Sequence, residues 1–419
     1  MPMIGNVLIL LLSLLIYSCY GLWPLTGLLA AVLVSWLTAL ATPRHKWVMW
    51  LSVAANALLL TLLKLEPVTG LGLLAPMGIS YFALRLISYN VDVGCGKLSP
   101  EKNIFRFALD ITYLPTLFLG PIDPYDPARF ASRKITAEGI WDGLARLLWG
   151  GFKKLVVAAR VGVVIGAISG DTQGYRGIFA LAAMLLYSVQ LYADFSGGID
   201  MVLGLSRMLG LRWSENFDAP YLAQSFREFW RRWHISLGAW LRAYVYIPLG
   251  GNRKGKICKV VNTLTTFLVS GLWHGVHYLV WGVLNGIFVS MGECLKTRWK
   301  LLNRALVFLG VSLLWSFFVW PDTLTALEML ASVVTDFEPA AFAAGIGGLG
   351  LTLGDWIVLA LAVPAMWTAD VYRKTLRSWY SARCPEVKTA LLCATGILVL
   401  VFGMYGIGFN AQAFIYSSF

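Results

Sequence analysis

Apolar runs long enough to cross a lipid bilayer recur along almost the whole chain. A helix that spans the hydrocarbon core needs about 20 predominantly apolar residues. Runs near this length lie at 4–20, 24–41, 46–64, 71–90, 104–121, 143–168, 178–203, 261–290, 303–320, 354–368 and 388–409. The stretch 324–350 is ambiguous because glycines near its end lower its helix propensity. The pattern predicts an all-α, polytopic membrane protein with about eleven transmembrane helices.

The segment 212–256 interrupts this pattern because it is too polar to span lipid. Its apolar side chains recur at steps of three and four residues, as on one face of a helix. They are Phe226, Phe229, Trp230, Trp233, Leu237, Trp240, Leu241 and Tyr244. The other face carries Arg227, Arg231, Arg232 and Arg242. This spacing predicts an amphipathic helix at the membrane interface or in a protein-lined cavity. Ser225 and Glu228 are placed to form a capping box at its start.

Two other segments are predicted to lie outside continuous helices. Prolines at 115, 121, 124 and 127 exclude an uninterrupted helix over 113–133, which is expected to form a re-entrant or loop structure. The stretch 370–388 contains several lysines and arginines and is predicted to be a basic loop. Internal repeats and low-complexity linkers are absent from the sequence, so a single membrane domain over residues 1–419 is the simplest organisation.

Composition supports the membrane assignment. Only 13% of the 419 residues are charged and 58% are hydrophobic, whereas soluble domains have about a quarter of their residues charged. The net charge of +12 resides in short clusters between apolar runs, such as 44–46, 153–154 and 252–256. Basic short loops mark the cytoplasmic side, so the charge indicates orientation rather than nucleic-acid binding. The six cysteines form no CxxC pattern and are interpreted as free thiols.

A histidine at membrane depth is the first candidate for chemistry. His274 lies in the apolar run 264–281, where an ionisable side chain is costly and commonly functional. The structural alternative is a neutral core histidine whose ring nitrogens are satisfied by neighbours. His277 follows one helical turn later and is expected to face the same way. Two histidines without an HExxH arrangement do not make a zinc site, and the next carboxylate, Glu293, ends the run, so no metal is predicted.

Three further ionisable residues adjoin apolar segments. His234 lies within the aromatic-basic helix, where an interfacial histidine paired with Glu228 is the structural alternative. Asp194 and Asp200 lie in the motif YADFSGGID. They are interpreted mainly as structural carboxylates paired with Arg207 or another donor, because the glycines around them favour tight helix packing. A role in proton relay is the alternative.

Several long motifs follow one another along the chain: GISYFALRLISYNVDVGCGKL, LPTLFLGPIDPYDPARF, YADFSGGIDMVLGLSRMLGLRWSENFDAPY, REFWRRWHISLGAWLRAYVYIPLGGNRKGK, GLWHGVHYLVWG and the closing FIYSSF. In sequence and in order they resemble those of the membrane-bound O-acyltransferase family and, within it, the bacterial alginate O-acetyltransferase branch. The resemblance is dense over about 60–320 and looser elsewhere. The segment GPIDPY is closer to the D-alanyl-lipoteichoic acid transferases of the same family.

The resemblance implies a ring of helices around a central tunnel, with amphipathic or re-entrant helices. The family's two marked histidines correspond to His234, within RRWH, and His274, within LWHG; the second is expected to be catalytic. Residues expected to bind substrate or line the tunnel are Trp230, Trp233, Trp273, Asn285, Arg231, Arg242 and Asp194. His274 is expected to act as general base, with Trp273, Asn285 or His234 donating a hydrogen bond to the oxyanion.

The function implied is transfer of an acyl group, acetyl first, from a cytoplasmic thioester to a hydroxyl of an extracytoplasmic polysaccharide. No tightly bound cofactor is expected; the donor is acetyl-CoA or an acyl-phosphopantetheine carrier protein. The arginine face of 227–242 is expected to hold the donor phosphate or anionic lipid headgroups. Expected partners are the acceptor polymer and a second envelope acyltransferase, and the expected location is the bacterial inner membrane. Two alternatives remain: D-alanyl transfer to teichoic acid, and a proton-coupled transporter using His274 and Asp194.

Overall fold

A computed structural model describes residues 2–65, 76–292 and 297–405. Glu293, the closing FIYSSF motif, and parts of the predicted runs 71–90 and 388–409 lie outside these residues. The described residues are helical apart from loops and one isolated bridge between Phe217 and Trp233. The predicted all-α class is therefore confirmed.

The first three helices are apolar and each buries a narrow stripe. They are α1 (Pro2–Ser18), α2 (Leu22–Ala41) and α3 (Trp47–Lys64). In α2 the buried positions recur every three to four residues, from Leu28 to Ala39, while the opposite side exposes leucine and valine. An exposed apolar face of this kind suits contact with lipid. The polar side chains in the stripe are paired, since the Asn56 amide on α3 donates to Ser35 Oγ on α2 at 3.1 Å.

The next segment contains α4 (Ile79–Gly94), α5 (Ile104–Thr112) and α6 (Leu114–Leu119). The prediction of a single span over 104–121 is wrong. Pro115 has no backbone N–H and its ring clashes with the preceding turn, so the chain ends one helix and starts another at Tyr113. The start of α5 is capped by the Asn103 side chain, which accepts from the backbone N–H groups of Phe105 and Arg106. The proline-rich segment 120–136 then runs as loop and turns, as predicted.

A long helical pair forms the centre of the fold. It consists of α7 (Ala137–Gly151), a π-helical segment (Phe152–Ala158), α8 (Ala159–Gly170) and the 31-residue α9 (Ile178–Met208). Glycines let the two helices approach closely: a Cβ at Gly150 would lie 2.4 Å from the Gly197 carbonyl oxygen. The interpretation of Lys153-Lys154 as a loop cluster is wrong. Both residues lie in the π segment, and Lys153 is buried.

The predicted amphipathic helix is present but interrupted. It is divided into α10 (Phe226–Arg232), α11 (Ile235–Leu241) and a π segment (Arg242–Tyr246). Its aromatic face packs into the protein interior, with Phe229 and Trp233 fully enclosed. Ser225 caps α10 by accepting from the Glu228 N–H at 3.2 Å. The reciprocal bond of the predicted capping box is replaced, because the Glu228 carboxylate accepts from the Gln224 N–H at 2.8 Å instead.

The apolar run 261–290 is a helical hairpin rather than one span. Its arms are α12 (Gly255–His274) and α13 (Leu279–Met291), joined by a short 3₁₀ turn (Val276–Tyr278). Gly275, at φ 143°, ends α12 in a conformation that favours glycine. The arms pack closely through Gly271 and Gly282, whose Cα atoms lie near each other. This geometry places His274 at the turn of a hairpin.

The C-terminal helices are α14 (Lys300–Val319), α15 (Thr323–Thr335), α16 (Pro339–Gly345), α17 (Leu353–Val371), α18 (Arg373–Ser381) and α19 (Pro385–Phe402). The ambiguous stretch 324–350 is helical but bent by 113° between α15 and the helices that follow it. The prediction of a basic loop over 370–388 is wrong, because this stretch contains the exposed amphipathic helix α18 together with the end of α17 and the start of α19.

Six helices of the described chain are long and apolar enough to cross a membrane: α2, α3, α9, α14, α17 and α19. Counting the bent pair that starts with α15 raises the number to seven, so the predicted eleven spans are not confirmed. The buried apolar residues form two clusters. Trp233 and Trp281 belong to one cluster, whereas Leu237 and Trp273 belong to the other. His234 and His274 therefore both lie where the chain passes between the two cores.

Candidate active site

The backbone at His234 is held in an uncommon conformation. His234 has φ 45° and lies between α10 and α11. The segment around Asn216 pairs with this break in antiparallel fashion: the Asp218 N–H donates to the Arg232 carbonyl at 2.9 Å, and the Ile235 N–H donates to the Asn216 carbonyl at 3.0 Å. A non-glycine residue in such a conformation costs about 1–3 kcal/mol and is found preferentially at functional sites. The interruption of the amphipathic helix thus produces a fixed, buried histidine.

The His234 ring is enclosed by polar and aromatic neighbours, with 3% of the residue exposed. Its Nδ1 lies 3.4 Å from Asn216 Oδ1. Phe195 of α9 meets it edge-on with ring centroids 4.9 Å apart, and Trp273 lies at 6.1 Å. The structural alternative paired His234 with Glu228, but among the described residues Glu228 pairs with Arg232 at 2.6 Å.

His274 is the last residue of α12 and is 8% exposed. Within the described part of the chain, four aromatic rings lie around it: Trp273 at 4.6 Å, Trp281 at 5.4 Å, Phe318 at 5.5 Å and Tyr278 at 6.1 Å between centroids. Trp273 contacts both histidines, so the two predicted catalytic residues share one neighbourhood. Apolar walls of this kind exclude bulk water from the imidazole.

His277 has a different environment. The break at Gly275 turns the chain after His274, and His277 lies exposed in the 3₁₀ turn. The expectation that His274 and His277 face the same way is therefore wrong. That expectation assumed a continuous helix through the motif, which the glycine prevents.

The predicted oxyanion donors are engaged within the protein. The Trp273 indole N–H donates to the Ser80 carbonyl at 3.1 Å. The Asn285 amide donates to the Trp281 carbonyl at 2.9 Å and accepts from the Trp230 indole N–H at 3.1 Å. Trp230 and Trp233 belong to the aromatic cluster that also contains Trp315. In this conformation, these groups contribute mainly to the rigid wall behind the histidines.

The predicted arginine face is divided between surface and ion pairs. Arg231 and Arg242 are exposed, and Arg232 pairs with Glu228. Although burial acts in the opposite direction, the hydrogen bonds from the Gln224 N–H and from Arg232 hold the pKa of Glu228 below its usual range. Arg231 and Arg242 are therefore open to solvent or lipid headgroups rather than gathered around the histidines.

The two carboxylates of α9 are paired with basic residues of the adjacent helix. Asp194 pairs with Lys154. Asp200 pairs with Lys153 and, at 2.8 Å, with Arg146. The predicted pairing is thus made with other donors and not with Arg207, because Arg207 contacts Asp142 at 2.7 Å. The ion pairs and the close glycine contacts together account for the YADFSGGID motif as helix-packing chemistry.

A large cavity opens beside this helix pair, with a volume of about 750 Å³. Its wall includes Phe217 and Ile235, which adjoin the Asn216 segment and His234 in the chain. Its charged lining residues are Asp142, Arg146, Lys153, Asp200, Arg207, Glu215, Asp218, Asp370, Arg373, Lys374 and Arg377. Sequence reasoning missed this cavity because it treated 370–388 as a loop. Arg373 and Arg377 are spaced one helical turn apart, and this spacing in the sequence indicates a helix rather than a loop.

A second, smaller cavity of about 160 Å³ has Trp273 in its wall. Its other lining residues are mainly apolar side chains of α3, α4, α11 and α12, and among the described residues Lys64 is the charged one. The larger cavity is thus lined by many charged residues and the smaller one mainly by apolar residues. Ile235 in the wall of the larger cavity adjoins His234 in the chain, and Trp273 in the wall of the smaller cavity contacts His274.

Comparison with known proteins finds similarities that centre on the middle of the chain. Residues 172–303 match the model of MBOAT, the membrane-bound O-acyltransferase family. The chain is 39% identical over 271 residues to a probable alginate O-acetylase from Pseudomonas syringae, covering 62% of this chain and 52% of the relative. It is 31% identical to a peptidoglycan O-acetyltransferase from Helicobacter pylori, covering 63% and 58% respectively. A teichoic acid D-alanyltransferase from Streptococcus thermophilus is 28% identical, with 62% and 67% covered.

The matched part of the chain spans about half the length of the alginate O-acetylases. Both buried histidines and the hairpin that ends α12 lie within the segment matched by the family model. The similarity to the membrane-bound O-acyltransferase family is thus located at residues 172–303, the segment that holds both histidines.

Proposed function

We propose that this protein is a multi-pass membrane O-acyltransferase that moves an acetyl group from a cytoplasmic thioester to a hydroxyl of a cell-envelope polysaccharide. The observation that carries the proposal is the pair of buried histidines, His234 and His274, around one tryptophan inside the family domain. Imidazole is the side chain best suited to proton transfer near neutral pH.

In the proposed reaction, His274 accepts the proton of the acceptor hydroxyl as its oxygen attacks the thioester carbonyl carbon. A tetrahedral oxyanion forms and then collapses, breaking the C–S bond. The thiolate leaves and takes the proton back from the imidazolium, so His274 returns to its starting form and one ester replaces one thioester. No oxidant, metal or covalent enzyme intermediate is required for this balance.

Exclusion of water is the second requirement of this chemistry, because water would otherwise hydrolyse the thioester. The four rings around His274 supply an apolar wall. A buried site between two faces of the membrane also allows donor and acceptor to approach from opposite sides.

We assign the approach of the donor to the 750 Å³ cavity rather than to the arginine face of 227–242. Lys374 and Arg377 of the exposed helix α18 line this cavity, and its wall reaches Ile235, next to His234. A CoA or phosphopantetheine donor carries phosphate at one end and the thioester at the other. Exposed cations in the lining, together with a lining residue that adjoins His234 in the chain, match that arrangement. Basic α18 also favours the cytoplasmic side for this opening.

Acetyl is preferred over D-alanyl because the relatives with the higher identities are named as O-acetylases or O-acetyltransferases. D-alanyl transfer remains the second candidate on the similarity to the teichoic acid D-alanyltransferase, of which 67% is covered. The transporter alternative is not retained. Asp194, its proposed proton carrier, is paired with Lys154, and the family domain belongs to acyltransferases.

The test is acyl transfer by the purified protein with radiolabelled acetyl and D-alanyl thioesters and a polysaccharide acceptor. Replacing His274 by Ala removes the base and is expected to lower kcat by about 10²–10⁴-fold. His277→Ala is the matched control, since His277 lies exposed on the same hairpin, and its kcat should match that of the wild type. Full activity of His274→Ala would remove the centre of the proposal. Transfer of D-alanine in place of acetate would select the second candidate.

A further inference from the structure

We propose that Asn216 positions His234 and fixes its tautomer, with the proton on Nδ1 and the lone pair on Nε2. This inference rests on the proposed function, because it assigns His234 a part in the acyl transfer. It names a residue outside the two marked histidines and outside the predicted tunnel lining. Its basis is the set of hydrogen bonds that converge on one oxygen atom.

The orientation of the Asn216 amide is determined by its partners. Its oxygen lies 3.0 Å from the backbone nitrogen of Ser236 and 2.7 Å from Ser236 Oγ. A backbone N–H can only donate, so the atom that faces it must be the amide oxygen Oδ1 rather than the NH₂ group. This assignment follows from the chemistry of the neighbours.

The same oxygen lies 3.4 Å from His234 Nδ1. Since Oδ1 is an acceptor, Nδ1 must carry a proton to bond with it. A neutral imidazole has only one such proton, so its Nε2 presents a lone pair. The contact is long, as catalytic hydrogen bonds often are before substrate binds.

This tautomer changes the role expected for His234. A neutral ring protonated at Nδ1 cannot donate from Nε2 to an oxyanion, although it can accept a proton or a hydrogen bond there. His234 is therefore placed as an acceptor that orients a hydroxyl or a thiol, or relays its proton. It does not supply the oxyanion hole in its neutral form.

Asn216 is itself held rigidly. It is fully buried, and its carbonyl accepts from the Ile235 N–H at 3.0 Å. Ser236 Oγ, which donates to Asn216, accepts from the Ile122 N–H at 2.9 Å. The proline-rich GPIDPY segment is thus connected through Ser236 and Asn216 to His234. The left-handed backbone of His234 fixes the ring at the end of this chain of bonds.

The experiment compares Asn216→Asp with Asn216→Leu in the purified full-length protein. Aspartate keeps an oxygen acceptor in either protonation state, whereas leucine has a similar size and no acceptor. Asn216→Leu is expected to lower kcat by about 10²-fold while KM changes by less than about threefold. Asn216→Asp should restore kcat to within about tenfold of the wild type.

Asn303 supplies a matched control. It is buried, and its Oδ1 accepts from the backbone N–H and the hydroxyl of Thr297, both at 2.8 Å, so it makes the same kinds of bond as Asn216 without a histidine. Asn303→Leu should leave kcat unchanged. The proposal is overturned if Asn216→Leu has the kcat of the wild type. It is also overturned if Asn216→Asp is as inactive as Asn216→Leu although both variants have the melting temperature of Asn303→Leu.

A second measurement does not depend on activity. The sequence has only four histidines, so nitrogen NMR of protein labelled at histidine can resolve the His234 ring, assigned by its loss in His234→Ala. We expect a protonated Nδ1 and an unprotonated Nε2 in the wild type and in a folded Asn303→Leu. A proton on Nε2 in the wild type would overturn the inference even if acyl transfer is confirmed. If the wild type has the expected tautomer but transfers no acyl group, the result counts against the proposed function and not against the assigned tautomer.

Discussion

At the scale of single residues, the site depends on two interruptions of helix. His234 occupies a left-handed backbone position between α10 and α11, and His274 ends α12 where Gly275 takes a positive φ. Sequence periodicity led to both histidines but treated the segments around them as continuous helices. The pattern of apolar side chains indicates which face of a helix is buried. It does not indicate a break that depends on tertiary hydrogen bonds, such as that from the Ile235 N–H to the Asn216 carbonyl.

The break after His274 can be tested at Gly275. A side chain at φ 143° is strained even though the added Cβ would approach only the Tyr278 ring, at 3.5 Å. Gly275→Ala is expected to destabilise the fold by about 1–3 kcal/mol and to lower kcat by displacing His274. Gly96→Ala is the control, because Gly96 also has a positive φ, lies in open space and is exposed. Thermal unfolding and kcat should separate the two: both variants lose stability, and only Gly275→Ala loses kcat. Equal kcat values would show that the turn does not set the position of His274.

At the scale of elements, the pairing of α9 with the helix that begins at α7 supports one wall of the charged cavity. Glycines bring the two backbones together, and the ion pairs of Asp194 and Asp200 connect the same two elements. Sequence reasoning anticipated tight packing at these glycines. It assigned Lys153 and Lys154 to a loop, because a lysine pair looks like a loop cluster until its buried carboxylate partners are known. Long apolar helices need such paired charges wherever an ionisable side chain is enclosed.

The close crossing predicts a sharp response to a single methyl group at Gly204. A Cβ there would lie 2.5 Å from the Gly143 carbonyl oxygen, so one backbone must move. Gly204→Ala is expected to destabilise the protein by about 1–3 kcal/mol through overpacking. Gly166→Ala on α8, where nothing lies within 4 Å, should be neutral or stabilising by up to about 1 kcal/mol. Thermal unfolding in detergent checks both values. A melting temperature for Gly204→Ala equal to that of Gly166→Ala would contradict this account of the crossing.

At the scale of the whole molecule, hydropathy predicted the helical class and most of the long spans, such as α2, α3 and α9, because these depend on local composition. It did not predict which apolar runs are divided. The run 104–121 is broken by Pro115, and 261–290 is folded back at Gly275. The motifs identified both histidines, but their shared contact with Trp273 is a tertiary fact. The charged cavity lies between helices distant in sequence, from α7 to α19, so no local pattern could reveal it.

The position of the donor within the whole molecule can be tested by comparing two donors and two surfaces. Acetyl-CoA carries phosphates, whereas S-acetyl-N-acetylcysteamine presents the same thioester without them. Replacing Lys374 and Arg377 by Gln removes two cations of the cavity and is expected to raise KM for acetyl-CoA by about 10-fold or more, the effect of losing charge-assisted contacts. The KM for the phosphate-free donor should be unchanged. Arg231→Gln, on the exposed arginine face, is the control and should leave both KM values near those of the wild type. If Arg231→Gln instead raises KM for acetyl-CoA and the cavity variant does not, the donor approaches over the arginine face and the cavity has another occupant.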